Sequence, residues 1–433
     1  MKRFFQQIFI VLFSLSWTVT SATDGYFALG YGAMHKGVAG AGVSMYHVSM
    51  IAGNPAGNAF LGKGYMLDIG VFHPTRSFSV IGSPSQQPNS LGLSLESWES
   101  ETEIFFIPAL GANWKLTESQ SIGLAIYGNG GMNTDYKTKI FFDESSSATG
   151  VDLAQLFGEV TYAIAFTERH AIGISGIMGY QRFEAKGLNA FGGFGMSASP
   201  NQLSDNGHET SLGAGFKVGY QGQIMDRLRL GAMWQSKIYM SEFDKYAGLY
   251  AEDGDFDVPM SWTAGVSYSV SDDLTVMADF KQILYSGVNA VSNPMSPATL
   301  FPGFVDGEGN FQPNPQFAAL GEEQGAGFGW EDMNIIKVGA EYSGLAGWQF
   351  RAGYSYGSQP IPEEEVLFNI LAPGVVEHHI ALGFSKELVG NKMIHFTVNH
   401  AVENTVNGTN PLDPVQSIDL KMKQWDFNVG VSF

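Results

Sequence analysis

Four cations stand where a buried anion could be met. Lys217, Lys281, Lys337 and Arg351 each interrupt a run in which apolar residues recur at every second position. Lys217 lies among Leu212, Ala214, Phe216, Val218 and Tyr220, and Lys281 follows Val276, Ala278 and Phe280. Lys337 sits between Ile336 and Val338, and Arg351 between Phe350 and Ala352. A period of two puts each cation on the face opposite the apolar side chains. A carboxylate head group needs such a cation, or several donors, where it comes to rest. Asp279 and Glu341 share that polar face. Pairing of the cations with these acids is the competing expectation, because charges seldom stay buried without a partner.

Other constellations carry less. Asp253, Asp255 and Asp257 begin like a calcium loop, but Val258 stands where glycine is required and no glutamate closes the pattern. A solvated acidic turn is expected there. His378, His379 and His395 make no metal spacing, and with no cysteine in the chain no metal site is expected. The glycines from Gly37 to Gly42 follow no strand and open no helix, so they are not a dinucleotide fingerprint. Glu363-Glu364-Glu365 reads as a solvated loop. No cofactor and no catalytic residue is expected.

The elements that position the cations are strands. The clearest is the last: Trp425, Phe427, Val429, Val431 and Phe433 alternate with Asp426, Asn428, Gly430 and Ser432, up to an aromatic carboxy terminus. An apolar strand left open in water invites aggregation, whereas one that closes a barrel in lipid does not. Alternation of this kind predicts fourteen strands, near 63–81, 101–116, 119–136, 156–167, 170–186, 209–221, 226–243, 259–270, 273–288, 333–343, 347–358, 376–387, 391–404 and 420–433. Short turns such as Thr167-Glu168-Arg169 alternate with long connections at 82–100, 137–155, 187–208, 244–258, 289–332, 359–375 and 405–419. An even strand count and short-long alternation are the signature of a bacterial outer-membrane barrel. A soluble sandwich would turn the apolar face inward and a membrane barrel outward, and periodicity alone does not separate them. The strand lengths and the aromatic terminus favour the membrane.

Composition narrows the function. The chain has 433 residues, no cysteine and a formal charge of −19, a poor match for nucleic acid, which needs basic patches. Lys2-Arg3, an apolar stretch to Val19 and the small residues Thr20-Ser21-Ala22 have the layout of a secretory signal peptide over 1–22. No later run is long and apolar enough for a membrane helix. Residues 23–62 do not alternate and are rich in glycine and small residues. Few charges and several aromatics disfavour a disordered tail, leaving a plug inside the lumen of the barrel formed by 63–433.

The run from Gly30-Tyr31-Gly32 to Gly40-Ala41-Gly42, followed by Asn54-Pro55-Ala56, resembles the hatch of the FadL family of outer-membrane transporters of hydrophobic compounds. So do Trp330-Glu331-Asp332, Lys337-Val338-Gly339-Ala340-Glu341-Tyr342, Trp348 to Tyr356, Pro360-Ile361-Pro362 and Phe256-Asp257-Val258-Pro259 before Trp262. The order and spacing of these pieces carry the likeness across the mature chain. It implies an all-β, fourteen-stranded antiparallel transmembrane barrel, monomeric, with an N-terminal hatch in the lumen. It also implies passive uptake of hydrophobic small molecules, long-chain fatty acids or hydrocarbons, across the outer membrane.

The resemblance further implies a side opening in the wall through which a greasy ligand leaves the plugged barrel for outer-membrane lipid, and such an opening needs a broken strand ladder. Glycines and bulges break ladders. Gly128, Asn129, Gly130 and Gly131 in the third strand are the candidates, with a glycine-rich strand end as the plainer reading. The resemblance puts Asn54, Pro55 and Ala56 near that opening; an ordinary proline turn is the alternative. Arg182 resembles a family position at the end of the fifth strand, although its parity puts it on the outer face unless a bulge intervenes. Leu188, Phe191, Phe194 and Met196 make the loop 187–208 apolar enough for a first capture surface, or for packing on a neighbouring loop. An outer-membrane lipase would need a serine and a histidine converging on one face. An adhesin or receptor would work through the loops alone.

Overall fold

The computed structural model describes residues 24–48, 51–83, 91–390 and 392–433. The expected signal peptide lies outside them. Fourteen antiparallel strands form one closed wall: β1 Gly64–Gly82, β2 Phe105–Lys115, β3 Gln120–Asn133, β4 Gly150–Thr167, β5 His170–Lys186, β6 Glu209–Met225 and β7 Leu228–Gln235. They continue as β8 Ser261–Ser269, β9 Leu274–Ile283, β10 Met333–Leu345, β11 Trp348–Gly357, β12 His378–Leu388, β13 Lys392–Thr409 and β14 Gln416–Ser432. Each strand pairs with the next, and β14 pairs back onto β1 from Met66–Ser432 to Gly82–Gln416. Phe433 completes the seam by exchanging backbone hydrogen bonds with Tyr65 at 2.8 and 3.0 Å. Its ring lies 5.5 Å from that of Tyr65, which in turn lies 5.9 Å from Trp114. The aromatic terminus therefore sits in an aromatic rim.

The ambiguity between sandwich and barrel is resolved by exposure. Leu67, Ile69, Val160, Ile172, Leu212, Ile336, Leu382 and Val429 are exposed on the outer face, while Asp68, Glu159, Lys217, Asp279, Lys337 and Arg351 are buried inside. Apolar outside and polar inside is the membrane-barrel assignment.

Several expected boundaries move. The strand expected over 226–243 is interrupted after Gln235, where Ser236 Oγ accepts the Phe216 amide, and resumes at Tyr239–Met240 against Gly213 and Ala214 of β6. The strand expected over 273–288 stops at Ile283. Conversely, β4 starts at Gly150, β13 runs to Thr409 and β14 starts at Gln416. The added pieces turn apolar residues inward: Val151, Leu153, Val406 and Ile418 are buried. In those stretches the parity that marks a lipid-facing strand is reversed.

Residues 24–48 and 51–62 run inside the wall. They include a helical turn α1 Ala33–Lys36 and a 3-10 turn Pro55–Phe60. Their polar groups meet inward-facing side chains around the barrel. The Ala33 amide donates to Asp68 of β1 at 2.7 Å, and the Gly42 and Val43 amides donate to Asp279 of β9 at 2.7 and 2.8 Å. Thr397 of β13 donates to the Ala33 carbonyl at 2.6 Å, and Lys36 pairs with Asp426 of β14 at 2.8 Å.

Candidate functional site: the barrel interior and a break in its wall

The interior has two zones. In the half nearer the short turns it is polar, with Asp68, Gln424, Asp426, Asn428 and Ser432 buried on β1 and β14. In the half nearer the long loops the same strands bury Phe72, Phe78, Val80, Ile418, Leu420 and Met422. Phe157 of β4 and Phe183 of β5 continue the apolar lining. The long loops close it from above. Trp330 is buried, donates to Asn369 Oδ1 at 2.6 Å and packs 5.1 Å from Tyr285 and 5.9 Å from Tyr26. Between Trp330, Tyr26, Phe72, Met132 and Met422 lies a cavity of about 30 Å³. That holds a water or two and no hydrocarbon ring.

All four sequence-predicted lumen cations face inward, and each is neutralised. Lys217 pairs with Glu159 at 2.6 Å, and Arg351 with Glu341 at 2.7 Å. Lys281 and Lys337 both reach Asp24 of the N-terminal segment, each at 2.9 Å, rather than Asp279. Burial by itself would raise the Asp24 carboxyl; the two ammonium groups overcome that and bring it down to about 2. His35 nearby goes the other way: burial, then Lys337, lower it to about 3. Its Nδ1 accepts the Tyr31 amide at 3.3 Å, so the neutral ring donates through Nε2 to the Gly40 carbonyl at 3.0 Å. These groups lock the N-terminal segment in place.

Arg182 stays on the outer register and pairs with Asp152 at 2.8 Å, with no bulge on β5 to turn it inward. Leu188, Phe191 and Met196 are buried between loops, Phe191 lying 5.7 Å from Phe141 and 5.5 Å from Phe368. Phe194 is exposed, as are Phe304, Val305 and Phe311 on a small hairpin, Gly303–Val305 with Phe311–Pro313, in the longest loop. The hairpin thus exposes three apolar side chains together, a feature that sequence reading missed because two three-residue strands leave no periodicity to detect.

The glycine cluster of β3 does break the ladder. Pairing of β3 with β4 skips Asn129, with Gly128 opposite Leu156 and Gly130 opposite Gln155. Asn129 is the extra residue of a bulge, and its side chain points inward to Gln155 at 2.9 Å and to the Tyr31 hydroxyl at 3.1 Å. On the other edge, pairing of β3 with β2 ends at Tyr127–Ala109. Phe105 to Pro108 have only β1 beside them. Beyond that point the edge of β3 is taken by the N-terminal segment: the Ala28 amide donates to the Asn129 carbonyl at 2.6 Å and the Gly131 amide to the Tyr26 carbonyl at 3.0 Å. A Cβ on Gly130 would overlap the Tyr26 carbonyl, which is why glycine stands there.

Asn54-Pro55-Ala56 is elsewhere. Asn54 caps the 3-10 turn by accepting the Ala56 amide at 3.1 Å and donates to the carbonyls of Val43 at 2.8 Å and Tyr220 at 3.1 Å. The tripeptide packs on Gly173 of β5 and Gly219 of β6, where a Cβ would overlap Pro55 or Asn54. The residues at the break are Tyr26 to Ala28, not the expected tripeptide.

A serine–histidine pair also exists: His395 lies 2.7 Å from Ser385 Oγ through Nδ1 and 2.9 Å from Ser432 Oγ through Nε2. Arg351 donates to Ser385 at 2.6 Å. No carboxylate orients the histidine among the described residues, so the arrangement lacks the third member that a hydrolytic triad uses.

A family model described as outer membrane protein transport protein (OMPP1/FadL/TodX) matches residues 28–424. Among solved structures, the Pseudomonas putida toluene transporter TodX is 19% identical, with 93% of this chain and 98% of that one covered and a TM-score of 0.64. A Pseudomonas aeruginosa FadL homologue is 14% identical over 94% and 99% of the two chains, with a TM-score of 0.65. The Ralstonia pickettii toluene transporter TbuX is 18% identical over 93% and 98%, with a TM-score of 0.58. No curated protein matches the chain.

Proposed function

The chain belongs to the outer membrane protein transport family (OMPP1/FadL/TodX), and from that premise we propose that it carries hydrophobic small molecules passively inward and releases them sideways through its wall. It is an outer-membrane transport protein and not an enzyme. The ligand class is a long-chain fatty acid or a similar hydrophobic compound; the relatives named above include toluene transporters.

The proposed path starts at the exposed side chains Phe194, Phe304, Val305 and Phe311. It continues into the apolar half of the interior, where burial of the ligand is favourable by roughly 25 cal/mol per Å² of apolar surface. It leaves between β2 and β3. Residues 24–62 serve as the plug, and Tyr26 to Ala28 must withdraw for the ligand to pass. The observation that carries this reading is the ended ladder at Ala109–Tyr127, with its free edge held by a segment that belongs to no strand of the wall. A closed barrel has no edge and so no side exit.

Deleting Asn129 tests it. The deletion removes the extra residue of the bulge and lets β3 run straight. Uptake of a radiolabelled fatty acid by cells lacking other such transporters is expected to fall to the background, with the protein still present and heat-modifiable on gels. Wild-type uptake by the deletion variant would contradict the sideways exit.

A further inference from the structure

Arg76 of β1 is 4% exposed and lies in the apolar half of the interior, on the wall of the cavity beside the break. Its Nη1 and Nη2 donate to the backbone carbonyls of Asn133 and Thr102, its guanidinium lies 5.5 Å from the centre of the Phe105 ring, and its Nε has no partner. No carboxylate pairs with it among the described residues. Asp152 is engaged by Arg182 at 2.8 Å and His208 at 2.9 Å, and Glu103 by His73 at 3.4 Å. Lys217, Lys281, Lys337, Arg351 and Lys36 each have an acid. Arg76 alone among these interior cations is left with neutral partners.

A buried cation held only by carbonyls keeps most of its desolvation cost, and an anion brought to it recovers that cost. Guanidinium groups offer paired N–H donors that match a carboxylate. Around Arg76 the apolar side chains Phe72, Met132, Trp330 and Met422 line the cavity, beside the polar tips of Tyr26 and Asn133. We propose that Arg76 is the head-group site for the transported ligand, and that this ligand is an amphiphile with a carboxylate and an apolar tail rather than an uncharged hydrocarbon. The assignment rests on the transport reading given above and adds the ligand's charge to it. The carboxylate docks on Nε and the adjoining amino group, and the tail takes the space that Tyr26 vacates.

The test uses the purified full-length barrel in detergent with two radiolabelled probes of equal tail, dodecanoate and dodecanol, at about pH 8, where a carboxylate is ionised. Wild type is expected to bind dodecanoate more tightly than dodecanol. Arg76→Met should weaken dodecanoate about 10- to 100-fold, the worth of a charge-assisted pair, and leave dodecanol unchanged. Arg76→Lys should restore part of the loss, and it keeps the question open to measurement if the methionine variant fails the heat-modifiability test of folding. Equal losses for both probes, or unchanged dodecanoate binding in a folded variant, would overturn the assignment. Wild type that binds dodecanol and not dodecanoate overturns the head-group site but leaves transport standing; wild type that binds neither overturns the transport reading itself.

Discussion

The backbone of Phe27 pairs with that of Gly130 in an antiparallel bridge, although the two residues belong to different parts of the fold. One is in the segment inside the barrel, the other in the wall.

This bridge needs the missing side chain of Gly130. Valine is at home in a strand, so Gly130→Val should leave β3 intact while its Cβ displaces the Tyr26 carbonyl. The expected result is a higher steady conductance in planar bilayers than the wild type shows. A conductance equal to that of wild type would mean that Tyr26 to Ala28 do not seal the gap.

Asp24 holds the same segment through Lys281 and Lys337. Asp24→Asn strips two buried ammonium groups of their acid, a loss on the order of 3–5 kcal/mol. The anchoring also has a pH signature. The folded carboxyl sits at about 2 against an ordinary 3.8, so the anchor is complete above about pH 4 and is lost as pH falls towards 2. Conductance of the wild type should stay low down to about pH 4 and rise below it. Asp24→Asn should be raised throughout and flat across that window. A variant indistinguishable from wild type would remove Asp24 from the anchor.

The exposed hairpin should matter most when ligand is scarce. Replacing Phe304 and Phe311 by serine removes two exposed rings that support no core. Uptake at low ligand concentration is expected to fall several-fold while uptake at saturation and thermal stability hold. Equal uptake at every concentration would separate the hairpin from capture.

Much of this architecture is legible in the sequence, because a strand between lipid and a polar interior must alternate. Trp425 to Phe433 display that rule, and Lys217, Lys281, Lys337 and Arg351 fall on the interior by parity alone. Where the rule lapses, reading fails. Leu153 and Ile418 face an apolar interior, so their strands look shorter in sequence than they are. The acid that serves Lys281 and Lys337 lies in a non-alternating segment far away in the chain, and no period points to Asp24. Arg76 has the same parity as Asp68 and Phe72; what marks it, the lack of an acid among the described residues, is a fact about space rather than sequence.

The change of lining part-way down the barrel has an energetic consequence. For a greasy molecule the loop-side half is a well and the turn-side half a barrier, so straight descent to the periplasm is uphill at every step. On the proposed sideways path, the break between β2 and β3 gives onto a third medium, the hydrocarbon of the bilayer, where the molecule is as comfortable as in the well. On that proposed path, direction comes from geometry and mass action: the molecule slips from one oily phase to another without a motor, drawn onward by its removal from the membrane.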